Sequence, residues 1–161
     1  YLNDLDGTKV AMSITIKSFA AGLSGKLEAG DIVTLISANY DNLGKATIPP
    51  ELQYVKVLAV TAETGDDKEY VPQKVSNGEN EEKKLPATIT LLVNTEQAKV
   101  LADLEQKGNV HATLVYRGSK ENADKFLAEQ DKLFGKKEGT ANTVANVKQN
   151  EQKEEGNTDA E

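Results

Sequence analysis

Apolar and polar residues alternate with a period of two in several short stretches of this chain, the spacing that gives a β-strand one buried face. Val10, Met12, Ile14 and Ile16 alternate with Ala11, Ser13, Thr15 and Lys17, which predicts a first strand. The run Ile32-Val33-Thr34-Leu35-Ile36 is apolar on both faces and is expected inside a sheet. Leu52 to Thr61 reads as a long strand, with Val55, Val57 and Ala59 on one side and Tyr54, Leu58 and Val60 on the other. After Pro86, Ala87, Ile89, Leu91 and Val93 predict a further strand, and Val110, Ala112, Leu114 and Tyr116 predict the last.

The period changes between those two strands. Ala98, Leu101, Ala102 and Leu104 recur at helical spacing over Thr95 to Lys107. Asn94 and Gln97 stand in the positions of a capping box, and Gly108 is placed to end the helix. A second amphipathic helix is expected over Lys120 to Phe134 through Ala123, Phe126, Leu127 and Leu133. Asp41-Asn42-Leu43-Gly44 reads as a loop, and Pro49-Pro50 delays regular structure until Glu51.

Two segments lack core-forming residues. From about Glu63 to Lys84 the chain turns into Gly-Asp-Asp, Asn-Gly and Glu-Glu-Lys-Lys, a polar insert expected to be disordered except for a short strand at Glu69 to Val71. Residues 135–161 are almost wholly polar and are expected to be a disordered tail, because they bury too little to offset the entropy of ordering. A strand–helix–strand unit ordinarily pairs its strands side by side through a right-handed crossover. The expected fold class is therefore α+β, predominantly β: a mixed sheet or β-clip-like body with one clear crossover helix and a second C-terminal helix.

Composition narrows the function. The 161 residues lack tryptophan and hold 5% aromatic residues, so the core must be aliphatic. A net charge of −7 without a basic stripe argues against nucleic acid, whose phosphates are neutralised by Lys and Arg, and against anionic lipid surfaces. The absence of cysteine excludes disulfide scaffolds, thiol nucleophiles and cysteine-ligated metals. No run approaches the roughly 18–20 apolar residues needed to span a bilayer. The chain opens on Tyr1 rather than Met and reads as a fragment, so this absence does not exclude an anchor in the parent protein.

The candidate chemical groups do not assemble into a reaction centre. His111 is the single histidine; it falls on the strand face opposite Val110, Ala112 and Leu114 and lacks a second histidine or cysteine to share a metal. Asp66, Asp67, Glu79, Glu81 and Glu82 lie in loops, whereas acid–base catalysis requires carboxylates held in a cleft with separated pKa values. Asp4-Leu5-Asp6-Gly7 resembles the start of a calcium loop without its later ligands. Gly22, Gly25 and Gly30 match no phosphate-binding spacing, since Lys26 is followed by neither Ser nor Thr; they read as turn glycines. Ser13, Ser18, Ser24 and Ser37 have no nucleophile elbow and no base. The sequence thus points to no catalytic, cofactor-binding or metal-ligating residue.

Two segments resemble the Flp pilus assembly family CpaB/RcpC. The first is Lys9 to Ile16 followed by Ala20 to Ile36, where a glycine-containing connection leads through Gly30-Asp31 into a buried strand. Ala29 stands where the family usually has proline. The second runs from Val55-Lys-Val-Leu-Ala-Val60, across a polar gap, to Ala87-Thr-Ile-Thr-Leu-Leu-Val93 and Thr95 to Ala102, and closes with a strand and Arg117. The resemblance covers roughly Thr8 to Gly118, and its strength lies in the order and spacing of the motifs.

The resemblance implies a tight-adherence (Flp-type) pilus or related secretion apparatus, and a parent anchored to the membrane by an N-terminal transmembrane helix. The soluble part would lie outside the cytoplasm, at the outer face of the cytoplasmic membrane or the cell wall. It also implies a preceding β-clip module of the SAF type, with residues 1–17 its trailing part or a bridge from it, and an RcpC-like domain over 8–134. The family has no established catalytic residues. The expected role is a non-catalytic scaffold whose partners are pilus or secretion-apparatus proteins. The rival readings are a module binding cell-wall polysaccharide (peptidoglycan), and a small hydrolase.

Overall fold

The structure is a computed structural model, and it describes residues 1–38, 42, 44–62, 65, 67 and 86–134. Five strands form one sheet: β1 (Val10–Thr15), β2 (Ile32–Ala38), β3 (Val55–Ala62), β4 (Pro86–Val93) and β5 (Asn109–Tyr116). Their order is β1-β4-β3-β2-β5, and every pairing is antiparallel. Two helices, α1 (Thr95–Lys107) and α2 (residues 120–134), complete the fold. The α+β class with its β emphasis holds. The insert at 63–84, apart from Gly65 and Asp67, and the tail at 135–161 lie outside the described residues, as does the short strand expected at Glu69 to Val71.

The sheet corrects two expectations. It is antiparallel rather than mixed, and β4 and β5 do not pair side by side. Both neighbours of β4 are taken, by β1 and β3, so the chain must travel to the far edge. A helix of 13 residues spans roughly 20 Å, enough to cross three strand intervals of about 4.8 Å and set β5 down beyond β2.

One face of the sheet carries the main core. Val33, Leu35, Val57, Ile89 and Leu91 are buried there beneath Leu101 and Leu104 of α1, with Leu27 and Leu52 closing the ends. Strand β2, apolar on both faces, is interior as its pattern required. In β3 the register shifts between Val57 and Ala59. The bulge reverses the alternation beyond it, so Val60 joins Val55 and Val57 in the core and Ala59 falls to the other face.

The capping box of α1 forms in full: Gln97 N–H donates to Asn94 Oδ1, and Asn94 N–H donates to Gln97 Oε1, each at 2.8 Å. Its buried stripe is Gln97, Leu101 and Leu104, with Ala98 and Val100 partly covered, whereas Ala102 is exposed. Gly108 ends the helix in an extended conformation (φ −151°) rather than a left-handed one. The second helix, α2, lies against the opposite face. Its Phe126 ring stands 5.4 Å from Tyr54 and 5.5 Å from Tyr116, two residues that project away from the α1 side.

Two buried glutamines tie both helices to one turn. Gln97 Nε2 donates to Glu51 O at 2.9 Å. Gln130 Nε2 donates to Pro50 O at 2.9 Å, and its Oε1 accepts the Tyr54 N–H at 2.8 Å. The short 3-10 turn Pro50–Leu52 is thereby satisfied from two sides.

The exposure difference along α1 is directly testable. Leu101→Ala should cost about 2–5 kcal/mol in urea unfolding, the usual penalty for emptying a filled core site. Ala102→Ser should change stability by less than about 0.5 kcal/mol. Equal losses would mean that the helix face is wrongly assigned.

Candidate functional site

The sheet consists of two long ladders, β1-β4-β3 and β2-β5, joined by a narrow seam. Strands β2 and β3 pair only at Ile32 with Lys56 and Val33 with Val55. Beyond that point β2 turns to another partner, and Ser37 and Thr47 exchange both backbone bonds at 2.8 Å. The seam is extended at its other end by Gly30-Asp31. Gly30 N–H donates to Val57 O at 2.8 Å, and Val57 N–H donates to Asp31 O at 2.9 Å. Gly30 adopts φ +93°, a conformation that disfavours any residue with a Cβ.

The Asp31 side chain is 1% exposed and forms a forked ion pair with Arg117, just past the end of β5. Arg117 Nε meets Oδ1 at 2.7 Å and Nη2 meets Oδ2 at 2.8 Å. Oδ2 also accepts the Glu28 N–H at 2.8 Å, and Nη2 donates to Lys26 O at 2.7 Å. Glu28 adds a looser contact at 3.6 Å. The hydrogen bonds that Arg117 donates to Asp31, aided by the charges of Asp31 and Glu28, raise the guanidinium pKa further above its already high value. Both oxygens of this buried carboxylate have partners, and the charge-assisted fork ties the end of β5 to the approach to β2.

The residues weighed from sequence are scattered. His111 sits opposite Ile36, exposed on the outer face of β5. No group of three or more His, Cys, Asp or Glu able to hold a metal occurs among the described residues. Asp6 accepts the N–H and hydroxyl of Thr8 at 2.9 and 2.6 Å, which closes a small turn. Asp67 accepts the Thr61 hydroxyl at 2.7 Å, while Asp66, Glu79, Glu81 and Glu82 lie outside the described residues. Ser13 bonds Thr90 across β1 and β4 at 2.8 Å, and Ser18 accepts the Ala21 N–H at 3.2 Å. Ser37 is buried, and its hydroxyl has no partner among the described residues. Leu23, Ser24 and Gly25 form a left-handed turn with φ of 55°, 51° and 73°.

Among the described residues, two surfaces remain open. Ile16 N–H donates to Ala87 O at 2.7 Å, so even-numbered residues of β1 face β4, while Ala11, Ser13 and Thr15 direct their backbone groups to the free edge. Thr15 is capped by Glu105 of α1, whose carboxylate accepts its N–H at 3.1 Å and its hydroxyl as well. Lys17 then bonds Gly108 O at 2.7 Å. The other edge strand, β5, is packed by the 3-10 segment Ala20–Gly25. Among the described residues, what stays unpaired is the first half of β1, with Val10 exposed at its mouth.

The second surface is a cleft of about 650 Å³ on the α2 side, between the N-terminal segment, β3, β4 and the start of α2. Leu58, Leu92 and Leu127 form its apolar floor, and Lys9, Lys56, Lys120, Asp4, Asp6 and Asp124 its charged rim. Lys120 Nζ lies 2.6 Å from Asp124 Oδ2. That bond, with Lys56 and Lys9 contributing through space, holds the Asp124 carboxyl below the usual carboxylate range. Sequence reading missed this convergence because the three lysines come from three different elements. Gln130 did leave a signal: a polar residue at the apolar phase of α2, seven residues after Ala123.

A family model described as Flp pilus assembly protein RcpC/CpaB matches residues 3–115, well over half of the chain. The matched stretch contains Asp31 and stops two residues short of its partner Arg117. No curated protein and no solved structure matches the chain.

Two measurements follow from the charged groups. Arg117→Met should cost about 2–4 kcal/mol, toward the lower end because the arginine side chain is 42% exposed; Arg117→Lys should cost less, and a cycle with Asp31→Asn should show coupling of about 1–3 kcal/mol. Additive losses would refute the seam clamp. The depressed Asp124 pKa contributes stability that is present above its unfolded value and lost as pH falls through the folded value. In a carboxyl NMR titration Lys120→Ala should move Asp124 up toward its ordinary value, and an unmoved midpoint would show that Lys120 is not the cause.

Proposed function

Because this chain belongs to the Flp pilus assembly RcpC/CpaB family, we propose that it acts as a non-catalytic, extracytoplasmic scaffold that docks other subunits of the apparatus by strand addition. The parent protein is held at the membrane by an N-terminal helix that precedes the residues described here, and a SAF-type module leads into β1. The observation that carries the reading is the open half-edge of β1. Backbone groups on a sheet edge are a template for an incoming strand, and native proteins normally cover them. Here Glu105 closes the second half of β1 and Ala20–Gly25 packs on β5, yet among the described residues Ala11 and Ser13 have no neighbouring strand on that side.

A scaffold also suits the carboxylates. Asp6, Asp31, Asp67 and Glu105 all accept hydrogen bonds that shape turns or join elements. A hydrolase would instead need two such groups converging on a substrate with separated pKa values. The polysaccharide reading draws less support. Sugar faces are recognised by free aromatic rings; Tyr54 and Tyr116 each pack on Phe126, and the exposed Tyr1 and Phe19 stand at the heads of two separate 3-10 turns.

Hydrogen exchange with purified pilin and platform subunits tests the proposal. The amides of Ala11 and Ser13 should gain protection on complex formation, at least tenfold beyond any change in β3. If no subunit protects that edge while the domain sediments with cell-wall sacculi, the strand-addition role is wrong and the wall-binding one takes its place.

A further inference from the structure

The open half-edge of β1 is complementary to itself. Its free backbone groups belong to Ala11 and Ser13, and the next position along, Thr15, has its N–H taken by the Glu105 carboxylate. Two β1 strands laid antiparallel about a two-fold axis at Met12 set Ala11 of each copy opposite Ser13 of the other. Each such pair then exchanges both of its backbone bonds. This register serves the two residues that lack a neighbouring strand among the described residues, and it asks nothing of Thr15. Ala11 and Ser13 are small, which permits close approach.

The side chains agree with that register. It places Lys9, one residue before β1, opposite Thr15 of the second copy, and so beside the Glu105 that caps it. Neither Lys9 nor Glu105 has an ion-pair partner among the described residues, and Lys9 acts on Asp6 and Asp124 only through space. The axis repeats the contact on the other side. Val10, 39% exposed, falls opposite Ile14, and Met12 opposite Met12, so the apolar row of β1 continues into the second copy. Ala102, three residues before Glu105 and therefore on the same flank of α1, is exposed as well. We propose that the occupant of this edge is a second copy of the chain, joined β1 to β1 so that one sheet runs through both. The inference rests on the reading of β1 as a strand-addition site and names its partner. An isologous pairing closes both edges at once and leaves neither for a third copy. Backbone bonding confined to Ala11 and Ser13 makes a small interface, at the transient end of a scale whose standard size is roughly 1,600 Å². Another subunit of the apparatus can therefore displace the second copy.

The test is sedimentation and amide hydrogen exchange of the whole 161-residue chain without any other protein, from about 10 µM to about 1 mM, the range in which a small interface associates. A monomer–dimer equilibrium should appear, and the amides of Ala11 and Ser13 should gain at least about threefold protection at the upper concentration while β3 is unchanged. Lys9→Glu and Glu105→Lys should each weaken self-association at least about tenfold, because each sets like charges together at the interface. Mixed in equal amounts, the two variants should dimerise with each other nearly as well as the wild type, since both contacts again join opposite charges. Circular dichroism melts establish that both variants are folded. Lys99→Glu, on a surface pair elsewhere in α1, should leave dimerisation intact.

A chain that stays monomeric over the whole range would overturn the proposal. So would a dimer whose protection maps away from Ala11 and Ser13, or variants that associate no better mixed than apart. The exchange experiment with pilin and platform subunits, run at the lower concentration where the chain is monomeric, separates the two readings. Protection of Ala11 and Ser13 there without self-association leaves strand addition standing and removes the second copy as its partner. Self-association through β1 with no protection by any subunit does the reverse.

Discussion

The fold depends on the forked pair between Asp31 and Arg117. The two ladders of the sheet meet over two residue pairs and the backbone bonds of Gly30 and Asp31 with Val57, a short seam for strands of this length. Asp31 stands at that junction and acts in two directions. Its backbone carbonyl accepts the Val57 N–H, and its buried carboxylate grips the residue that follows β5. One residue thus fastens β3, the entry to β2 and the exit of β5 together. Burying the carboxylate is tolerable because Arg117 and the Glu28 N–H satisfy its oxygens.

With the seam held, the remaining contacts fall into a consistent order. Helix α1 seals the aliphatic face, and α2 is set against the other through Phe126 and Gln130. The turn at Pro50–Leu52, which interrupts the approach to β3, is bound from both helices by glutamine amides. The long connection from β1 to β2 passes over β5, so the same segment that joins the strands also protects an edge. Gly22 lets that segment lie close: a Cβ there would come within 2.8 Å of Ile16 Cδ1.

These coverings decide what is left to interact. Among the described residues, β5 and the second half of β1 are covered, and the cover stops at Ala11 and Ser13. On the opposite side, the N-terminal segment and the start of α2 approach each other without closing, which leaves the leucine-floored cleft and its lysines. Both openings lie near the start of β1, close to where the chain enters the domain. For a member of a pilus assembly family this is an apt place for contacts, since neighbouring subunits can meet the domain without disturbing its seam.

Much of this was legible in the residues themselves. Alternation placed four strands and a run apolar on both faces placed β2, while helical spacing with an Asn94–Gln97 box placed α1 and the apolar phase of Ala123 and Phe126 placed α2. Those signals are local, set by a strand's period of two and a helix's 3.6 residues per turn. The bulge in β3 was not legible, because an inserted residue leaves the same letters and only changes the face they reach. Nor was the β1-β4-β3-β2-β5 order, the union of Asp31 with Arg117 across 86 positions, or the gathering of Lys9, Lys56 and Lys120. Pairing between distant segments depends on which edges are free and which faces are covered once the chain has collapsed. That competition is settled only in three dimensions.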